Sequence, residues 1–205
     1  MTSPALYLAS ASPRRREILT ALGLVFSWGG VALEERRHDG ETADAMVLRL
    51  AGAKALAAAA AGAAPVVIGA DTAVVLGNRV FGKPSGRDDA LAMLDALSGR
   101  THRVVTGVAV RSQRGLRTAL SATEVRFREI RPDEALAYWQ SGEPRDKAGA
   151  YAIQGRGGVF VEAIHGSYSG VVGLPVFETA RLLQAAGLDV LDTAMPAGQA
   201  GDRER

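Results

Sequence analysis

The sequence predicts an α/β protein in which helices flank a central β-sheet. Short β-branched apolar runs, such as 66–68, alternate with stretches of helical spacing, as is typical of strands and helices that share one core. Two longer segments of strand character, 102–111 and 116–128, surround a short polar turn and predict an antiparallel pair. At 205 residues, 47% of them hydrophobic, the chain can bury such a core as one domain or as two lobes around a shared sheet.

The composition argues against several kinds of protein. The absence of cysteine excludes disulfides and thiolate metal sites. A net charge of +2 without long basic runs argues against binding nucleic acid over a broad face. The start of the chain lacks a signal-peptide pattern, and no apolar span reaches the roughly 18 residues of a membrane helix. We therefore expect a cytoplasmic protein that has no membrane partner.

The first strand and helix have the features of an anion site. Residues 5–9 predict a buried strand, Ser12 and Pro13 are good residues for the start of a helix, and Gly23 ends it. Arginines at 14–16 lie beside the free N–H groups of the first turn. Because cations oppose the helix dipole there, an acid or a bound anion should compensate them. A solvated basic turn paired with nearby acids is the alternative interpretation.

A second helix, predicted over 41–61, carries a lysine on its inner face. Val47, Leu50 and Ala51 mark that face, and the helical spacing puts Lys54 on it as well. Lys54 therefore either extends its charge past the edge of the helix or faces a ligand cleft. Three further helices are predicted: one that follows 85–88, carries apolar residues over 91–97 and is closed by Ser98 and Gly99, one that spans 132–139, and one that begins at Pro175 and ends at Gly187.

The segment 66–84 contains an acid, Asp71, and a lysine, Lys83, each of which follows an apolar strand. A buried strand over 66–68 leads to Asp71, which we expect at the C-terminal end of that strand. Gly77 and Asn78 form a two-residue hairpin signal, and Lys83 follows the return strand. An aspartate that only caps a turn fits the same pattern.

The spacing of 77–83 also matches the phosphate-binding Walker loop, G-x-x-x-x-G-K. That loop needs a Ser or Thr hydroxyl for magnesium after its lysine and a helix that starts at once. Pro84 supplies no hydroxyl, and it pushes Lys83 into an extended conformation. The sequence therefore excludes an ATPase of the Walker class.

Glycine and alanine surround fixed polar groups at 143–155, before a strand predicted over 159–164. Such a backbone can approach a flat or bulky ligand closely. Gln154 offers both donors and an acceptor, as reading the edge of a base requires. An amide that only satisfies a turn is the alternative.

Taken together, these segments supply the groups that a polyphosphate with a divalent cation requires. The cationic and acidic candidates are Arg14, Arg15, Lys54, Lys83, Glu34, Glu35 and Asp71. Hydrolysis of a phosphoanhydride needs neutralised oxygens, a positioned water, and a carboxylate that orients the water, deprotonates it or holds the metal.

Several motifs in order resemble the Maf family of nucleoside triphosphate pyrophosphatases. They are L-A-S-A-S-P-R-R at 8–15, G-A-D-T at 69–72, G-K-P at 82–84, L-S-G at 97–99, D-K-A-G-A-Y-A-I-Q-G at 146–155 and V-G-L-P at 172–175. The resemblance spans about 6–187, so we expect a single domain over 1–192 and a flexible tail over 193–205. It implies an elongated mixed sheet with flanking helices and two lobes around a cleft, similar to the inosine triphosphate pyrophosphatases.

The same resemblance implies a reaction and a set of roles. The enzyme would cleave a nucleotide between the α and β phosphates, giving a monophosphate and pyrophosphate. Asp71 would be the catalytic proton acceptor. The substrate-specificity residues would be Arg14, Thr72 and Gln154, and the phosphate-binding residues Ser10, Arg15, Lys54 and Lys83. Glu35 and Asp71 would hold a divalent metal cation, Mg or Mn, with Glu34 as the alternative to Glu35.

The segment 146–155 resembles the branch of the family that acts on dTTP and UTP rather than on 7-methyl-GTP. Gly170 departs from the family, because relatives often carry asparagine there. Selectivity for other or modified nucleotides remains open, as does a role as a nucleotide-binding regulator of cell division or septum formation. The resemblance also leaves open whether the chain forms a homodimer.

Overall fold

The computed structural model describes residues 5–191, which form one seven-stranded sheet with helices on both faces. The strands are β1 (Leu6–Leu8), β2 (Ser27–Trp28), β3 (Val66–Leu76), β4 (Arg79–Phe81), β5 (Thr101–Ser112), β6 (Gly115–Phe127) and β7 (Val161–His165). The α-helices are α1 (Pro13–Ala21), α2 (Ala43–Ala60), α3 (Arg87–Leu97), α4 (Pro132–Gln140), α5 (Tyr168–Val172) and α6 (Val176–Ala186). Short 3₁₀ turns between α4 and β7 cover Glu143–Asp146, Ala148–Ala150 and Arg156–Phe160. The predicted α/β class is confirmed.

The sheet is mixed, and one of its inner strands has an open edge. Its order is β2-β1-β3-β5-β6-β7, with β4 paired to β3. β1 is parallel to β2 and β3, and the other pairings are antiparallel. β1 pairs with β3 only as far as Ile68, and β4 pairs with β3 only from Val74. Among the described strands, β3 therefore pairs with β5 alone over 69–73, which leaves one edge free just beyond the C-terminal end of β1, a usual place for a ligand.

Helix α2 packs closely against one face of β3 and β5. Val47, Leu50 and Ala51 are buried, as the helical spacing predicts. Two glycines on the sheet allow the approach: a Cβ on Gly69 would collide with the Ala51 carbonyl oxygen, and one on Gly107 would lie 2.5 Å from the Val47 carbonyl oxygen. The missing side chains therefore set the distance between the helix and the sheet.

The opposite face of the sheet carries two hydrophobic clusters, which form the cores of two lobes. One cluster includes Val74 of β3 and the inner faces of α3 and α4. The other includes Ala70 of β3 with residues of α1 and α6. Between them, the register aligns the hydroxyl residues Thr72, Thr106 and Ser121 across β3, β5 and β6. The predicted pair of lobes thus meets along a polar row.

The prediction that Asp71 lies at the end of its strand is wrong. β3 continues to Leu76, and Asp71 pairs with Gly107 in the middle of the ladder with β5. Only the parallel pairing with β1 stops before Asp71. The apolar run over 66–68 corresponds to that pairing and not to the whole strand. The hairpin prediction is confirmed, because Leu76 pairs with Arg79 across the turn.

Two smaller differences concern the C-terminal half. The strand predicted over 159–164 begins at Val161, because Arg156–Phe160 forms a 3₁₀ turn before it. α5 has five residues, too few for a periodic signal in the sequence. The tail predicted over 193–205 lies outside the described residues. Within residues 5–191, no helix is both long and apolar enough to cross a membrane.

Candidate active site

A cleft of about 750 Å³ opens at the free edge of β3, between the two lobes. Apart from the alternative Glu34, the residues that the sequence predicts for the site all line it: Ser10, Arg14, Arg15, Glu35, Lys54, Asp71, Thr72, Lys83 and Gln154. Glu34 is exposed and lies outside the set of described residues that line the cleft. The geometry therefore favours Glu35 over Glu34 as the acid that faces a ligand.

Lys54 joins two carboxylates in this cleft. Its Nζ donates to Asp71 Oδ1 at 2.7 Å and lies 2.6 Å from Glu35 Oε1. Lys54 and Asp71 are buried, whereas the side chain of Glu35 is 53% exposed on the loop before α2. Of the two interpretations of Lys54, the structure thus supports the one in which it faces a cleft.

The local sequence explains this contact. Gly69 and Asp71 are two residues apart on β3, so they face the same side of the sheet. Because Gly69 lets α2 approach at Ala51, Lys54, which lies one helical turn further along, reaches Asp71. The close packing of a helix on a strand therefore holds the buried lysine against the buried acid.

The two carboxyl groups have different electrostatic environments. Burial raises the pKa of Asp71 above its ordinary value, although the charge and hydrogen bond of Lys54 and the charge of Arg15 oppose the rise. At Glu35 burial also acts to raise the pKa, but the hydrogen bond and charge of Lys54, together with the charges of Lys83 and Arg15, outweigh it and lower the pKa. Asp71 is thus the stronger proton acceptor of the two.

Arg15 ties the start of α1 to β3 and to the loop before α6. Its Nε donates to the Gly173 carbonyl oxygen at 2.8 Å, and its two terminal nitrogens donate to Ser10 Oγ and Thr72 Oγ1, each at 3.1 Å. Each terminal nitrogen carries a second N–H group. Arg15 can therefore hold the walls of the cleft together and still offer donors to an anion.

Two predicted specificity residues, Arg14 and Gln154, each contact an acid at the mouth of the cleft. Arg14 Nη1 lies 3.6 Å from Asp146 Oδ2, and Gln154 Nε2 donates to Glu17 Oε2 at 3.5 Å. Asp146 is one of the acids that the basic first turn of α1 requires. These long contacts join α1 to the segment 143–155 at the mouth of the cleft.

The segment 143–155 is held in place by a carboxylate that the sequence analysis did not single out. Glu143 accepts hydrogen bonds from the Tyr138 hydroxyl at 2.7 Å and from the backbone N–H groups of Arg156 and Gly157 at 2.9 and 3.0 Å. The Gly149 N–H donates at 3.0 Å to the carbonyl oxygen of Gly82, the residue before Lys83. The segment is therefore joined to the hairpin that presents Lys83.

Glu35 and Asp71 are the residues that could hold a divalent cation. Their oxygens both lie within 2.7 Å of the same Lys54 Nζ, so the two carboxylates already converge on one positive charge. No group of three or more His, Asp or Glu side chains in the described part of the chain could form a metal site by itself. Two carboxylates suit magnesium, which commonly binds one or two protein carboxylates together with substrate phosphates.

Sequence reasoning missed Thr106 and Gly107, which lie on β5 beside Thr72 and Asp71 respectively. Thr106 is buried and hydrogen-bonded to Thr72 at 3.0 Å, and Gly107 allows α2 to pack. A glycine inside an apolar strand pattern is a general signal of close backbone approach, and it was present in the sequence. No local pattern marks Thr106, because its importance comes from its partner on a strand far away in the sequence.

Fold and site together define a two-lobed α/β protein whose cleft is lined by cations and by a buried carboxylate. The cleft combines a helix start, several cations and a buried carboxylate whose pKa is raised.

Residues 5–186 match the family described as "Maf-like protein", and the chain belongs to that family. It is 48% identical over 196 residues to the dTTP/UTP pyrophosphatase of Alkalilimnicola ehrlichii, covering 91% of this chain and 95% of the relative. It is 52% identical over 184 residues to the dTTP/UTP pyrophosphatase of Methylococcus capsulatus, covering 89% and 91%. The enzyme of the same name from Saccharophagus degradans is 49% identical over 195 residues, covering 93% of both chains. The family predicted from the motifs is confirmed.

Proposed function

We propose that this protein hydrolyses dTTP and UTP to the monophosphate and pyrophosphate. The observation that carries the proposal is the buried contact of Lys54 with Asp71 and Glu35, at the open edge of β3 in a cleft lined by cations. The names and the coverage of the relatives support the choice of substrate.

In this proposal Asp71 is the catalytic carboxylate. Burial raises its pKa, which makes it a better proton acceptor for water than an ordinary aspartate. Lys54 orients it through the 2.7 Å hydrogen bond and keeps its charge compensated. The water that Asp71 activates breaks the bond between the α and β phosphates.

Cations along the cleft would bind the triphosphate. Lys83 is exposed at the end of the β3–β4 hairpin, and Arg14 and the remaining N–H groups of Arg15 lie at the start of α1. Ser10 Oγ accepts from Arg15 and from the Ser12 N–H at 3.2 Å, which leaves its hydroxyl hydrogen for a phosphate oxygen. These positive charges would offset the negative charge that accumulates on the departing pyrophosphate.

Glu35 and Asp71 would hold a divalent cation, Mg or Mn, together with the phosphates. When bound, the cation supplies charge neutralisation on the phosphate oxygens. The lowered pKa of Glu35 keeps that group ionised across the neutral range, as a metal ligand must be.

The test is a hydrolysis panel in which pyrophosphate and monophosphate are both measured. Purified protein with magnesium or manganese is given dTTP, UTP, CTP, the purine triphosphates and modified pyrimidine triphosphates. We expect pyrophosphate to be released fastest from dTTP and UTP. Stable binding of these nucleotides without turnover would contradict the proposal and would support a regulatory binding protein instead.

A further inference from the structure

One wall of the cleft carries no charge. Residues 152–154, an alanine, an isoleucine and a glutamine, line the cleft one after another, whereas cations such as Arg15 and Lys83 line other parts of it. An uncharged surface suits the uncharged part of a nucleotide better than its phosphates. We call residues 152–154 the wall segment, and its position matters for any ligand that contacts it.

The wall segment is held by a hydroxyl group that lies behind the cleft. Tyr138 on α4 is buried, and it is outside the set of described residues that line the cleft. The Ala152 N–H donates to the Tyr138 hydroxyl oxygen at 3.1 Å, and the same hydroxyl donates to Glu143 Oε1 at 2.7 Å. One phenol therefore connects the first residue of the wall segment to a carboxylate.

The charge of Glu143 fixes the direction of both hydrogen bonds. Burial acts to raise the pKa of Glu143, but the hydrogen bonds from Tyr138 and from two backbone N–H groups outweigh it and lower the pKa. An ionised carboxylate can only accept, so Tyr138 must donate to it. The Tyr138 oxygen is then left to accept from Ala152. Burial also raises the pKa of Tyr138, so the phenol keeps its hydrogen.

The chain that follows the wall segment closes around the same two side chains. Glu143 accepts from the Arg156 N–H at 2.9 Å and from the Gly157 N–H at 3.0 Å. A Cβ on Gly157 would lie 2.5 Å from the Tyr138 hydroxyl oxygen, and one on Gly155 would collide with the Glu143 carboxylate. The glycines of this stretch therefore permit the close approach, and both ends of the wall segment are tied to one pair of residues.

We propose that Tyr138 and Glu143 are positioning residues, which hold the wall segment where the nucleoside half of the substrate binds. Without the Tyr138 oxygen, the Ala152 N–H would lose its acceptor and the wall segment would shift to satisfy it. A ligand that contacts the wall segment would then bind more weakly, whereas one that contacts only the cations would not. This inference rests on the proposed function and adds to it the groups that support the binding wall.

The test measures three constants in the unaltered protein and in Tyr138→Phe: KM and kcat for UTP, and the inhibition constant of inorganic tripolyphosphate. Tripolyphosphate has three phosphates and no nucleoside, so it reports on the cationic part of the cleft. The substitution removes a single oxygen atom. We expect KM for UTP to rise roughly tenfold, while kcat and the inhibition constant change by less than about twofold.

A second variant carries the test if Tyr138→Phe does not fold. In Glu143→Gln, an amide whose oxygen accepts from Tyr138 turns its NH₂ group toward the Arg156 N–H, where two donors oppose each other. The pair is therefore loosened from the carboxylate side. We expect the same rise in KM with little change in kcat or in the inhibition constant.

Two control variants separate positioning from stability. Tyr168→Phe removes the same atom from a half-exposed ring on α5 and should leave all three constants unchanged. Leu183→Ala shortens a buried side chain of α6, in the cluster of the other lobe. It should lower the Tm, because it leaves a cavity, without changing the three constants.

The outcomes separate this inference from the proposed function. An unaltered protein that hydrolyses neither UTP nor dTTP would contradict the proposed function. If the unaltered protein does hydrolyse UTP, a folded Tyr138→Phe or Glu143→Gln variant with an unchanged KM would overturn only the positioning role. An inhibition constant of tripolyphosphate that rises as much as KM would also overturn it, because the pair would then support the whole cleft.

Discussion

At the scale of single residues, the proposed chemistry depends on how Asp71 remains a base although it is buried. Burial raises its pKa, and Lys54 limits the rise. Because the folded protein binds this proton more tightly than the unfolded chain does, the contribution of Asp71 to the free energy of unfolding decreases as the pH rises toward the raised pKa. The acid is therefore held at some cost to stability, which is common at functional sites.

Lys54→Met tests how far Lys54 opposes the effect of burial on the pKa of Asp71. Without the ammonium group the pKa of Asp71 should rise further, because burial would then be opposed mainly by Arg15. We expect kcat/KM near pH 7 to fall on the order of a hundredfold and the acid limb of the pH–rate profile to move to higher pH.

Lys83→Met is the matched control for this change. Lys83 is exposed at the mouth of the cleft, so its loss should lower kcat/KM without moving the acid limb. An acid limb that stays in place in Lys54→Met would contradict the assignment of Asp71 as the base.

At the scale of elements, the approach of α2 to the sheet determines whether Lys54 can reach Asp71. Gly107→Ala would place a Cβ 2.5 Å from the Val47 carbonyl oxygen, so the helix must move away. We expect a loss of about 1–3 kcal/mol in the free energy of unfolding, measured in denaturant, together with a lower kcat.

Gly52→Ala in α2 is the control for this change. A Cβ there would meet only Leu116 Cδ2, at an ordinary contact distance of 3.6 Å. The substitution should stabilise the protein by about 0.5–1 kcal/mol, because alanine is favoured over glycine inside a helix. Equal stability of both variants would show that the close approach of α2 is unimportant.

Local patterns predicted most of the elements and the residues that face the cleft. The helical spacing of Val47, Leu50 and Ala51 placed Lys54 on an inner face, and the hairpin signal placed Lys83. The sequence could not show that β3 runs past Asp71, because that continuation depends on pairing with β5. For the same reason, no local pattern could reveal that Thr106 contacts Thr72, or that Glu143 accepts hydrogen bonds from Tyr138, Arg156 and Gly157. These contacts join positions far apart in the chain.

At the scale of the whole molecule, one buried histidine makes the stability of the fold depend on pH. His102 is 2% exposed, and its ring packs edge-on against Phe127, a member of the cluster that includes α3 and α4. Its Nε2 is 2.8 Å from the Tyr151 hydroxyl. Burial lowers the pKa of His102 to about 4 from its ordinary 6.5. The folded state therefore binds fewer protons than the unfolded chain between these values, so stability is lost as the pH falls from 6.5 toward 4.

His102→Gln should reduce this dependence. The free energy of unfolding of the unaltered protein should drop by on the order of 2 kcal/mol more than that of the variant between pH 7 and pH 4.5. His165→Gln, an exposed position on β7, serves as the control and should behave like the unaltered protein. Identical pH profiles for His102→Gln and the unaltered protein would show that His102 is not held neutral in the fold.

The central claim is that Asp71 performs the hydrolysis of a bound pyrimidine triphosphate. It is tested most directly by the rate of pyrophosphate release from saturating UTP in Asp71→Asn, with binding followed by the thermal shift that UTP produces. The amide keeps the shape of the side chain but cannot accept the proton of water. We expect kcat to fall at least about a hundredfold while the thermal shift is retained. A variant with nearly unaltered kcat would contradict the account.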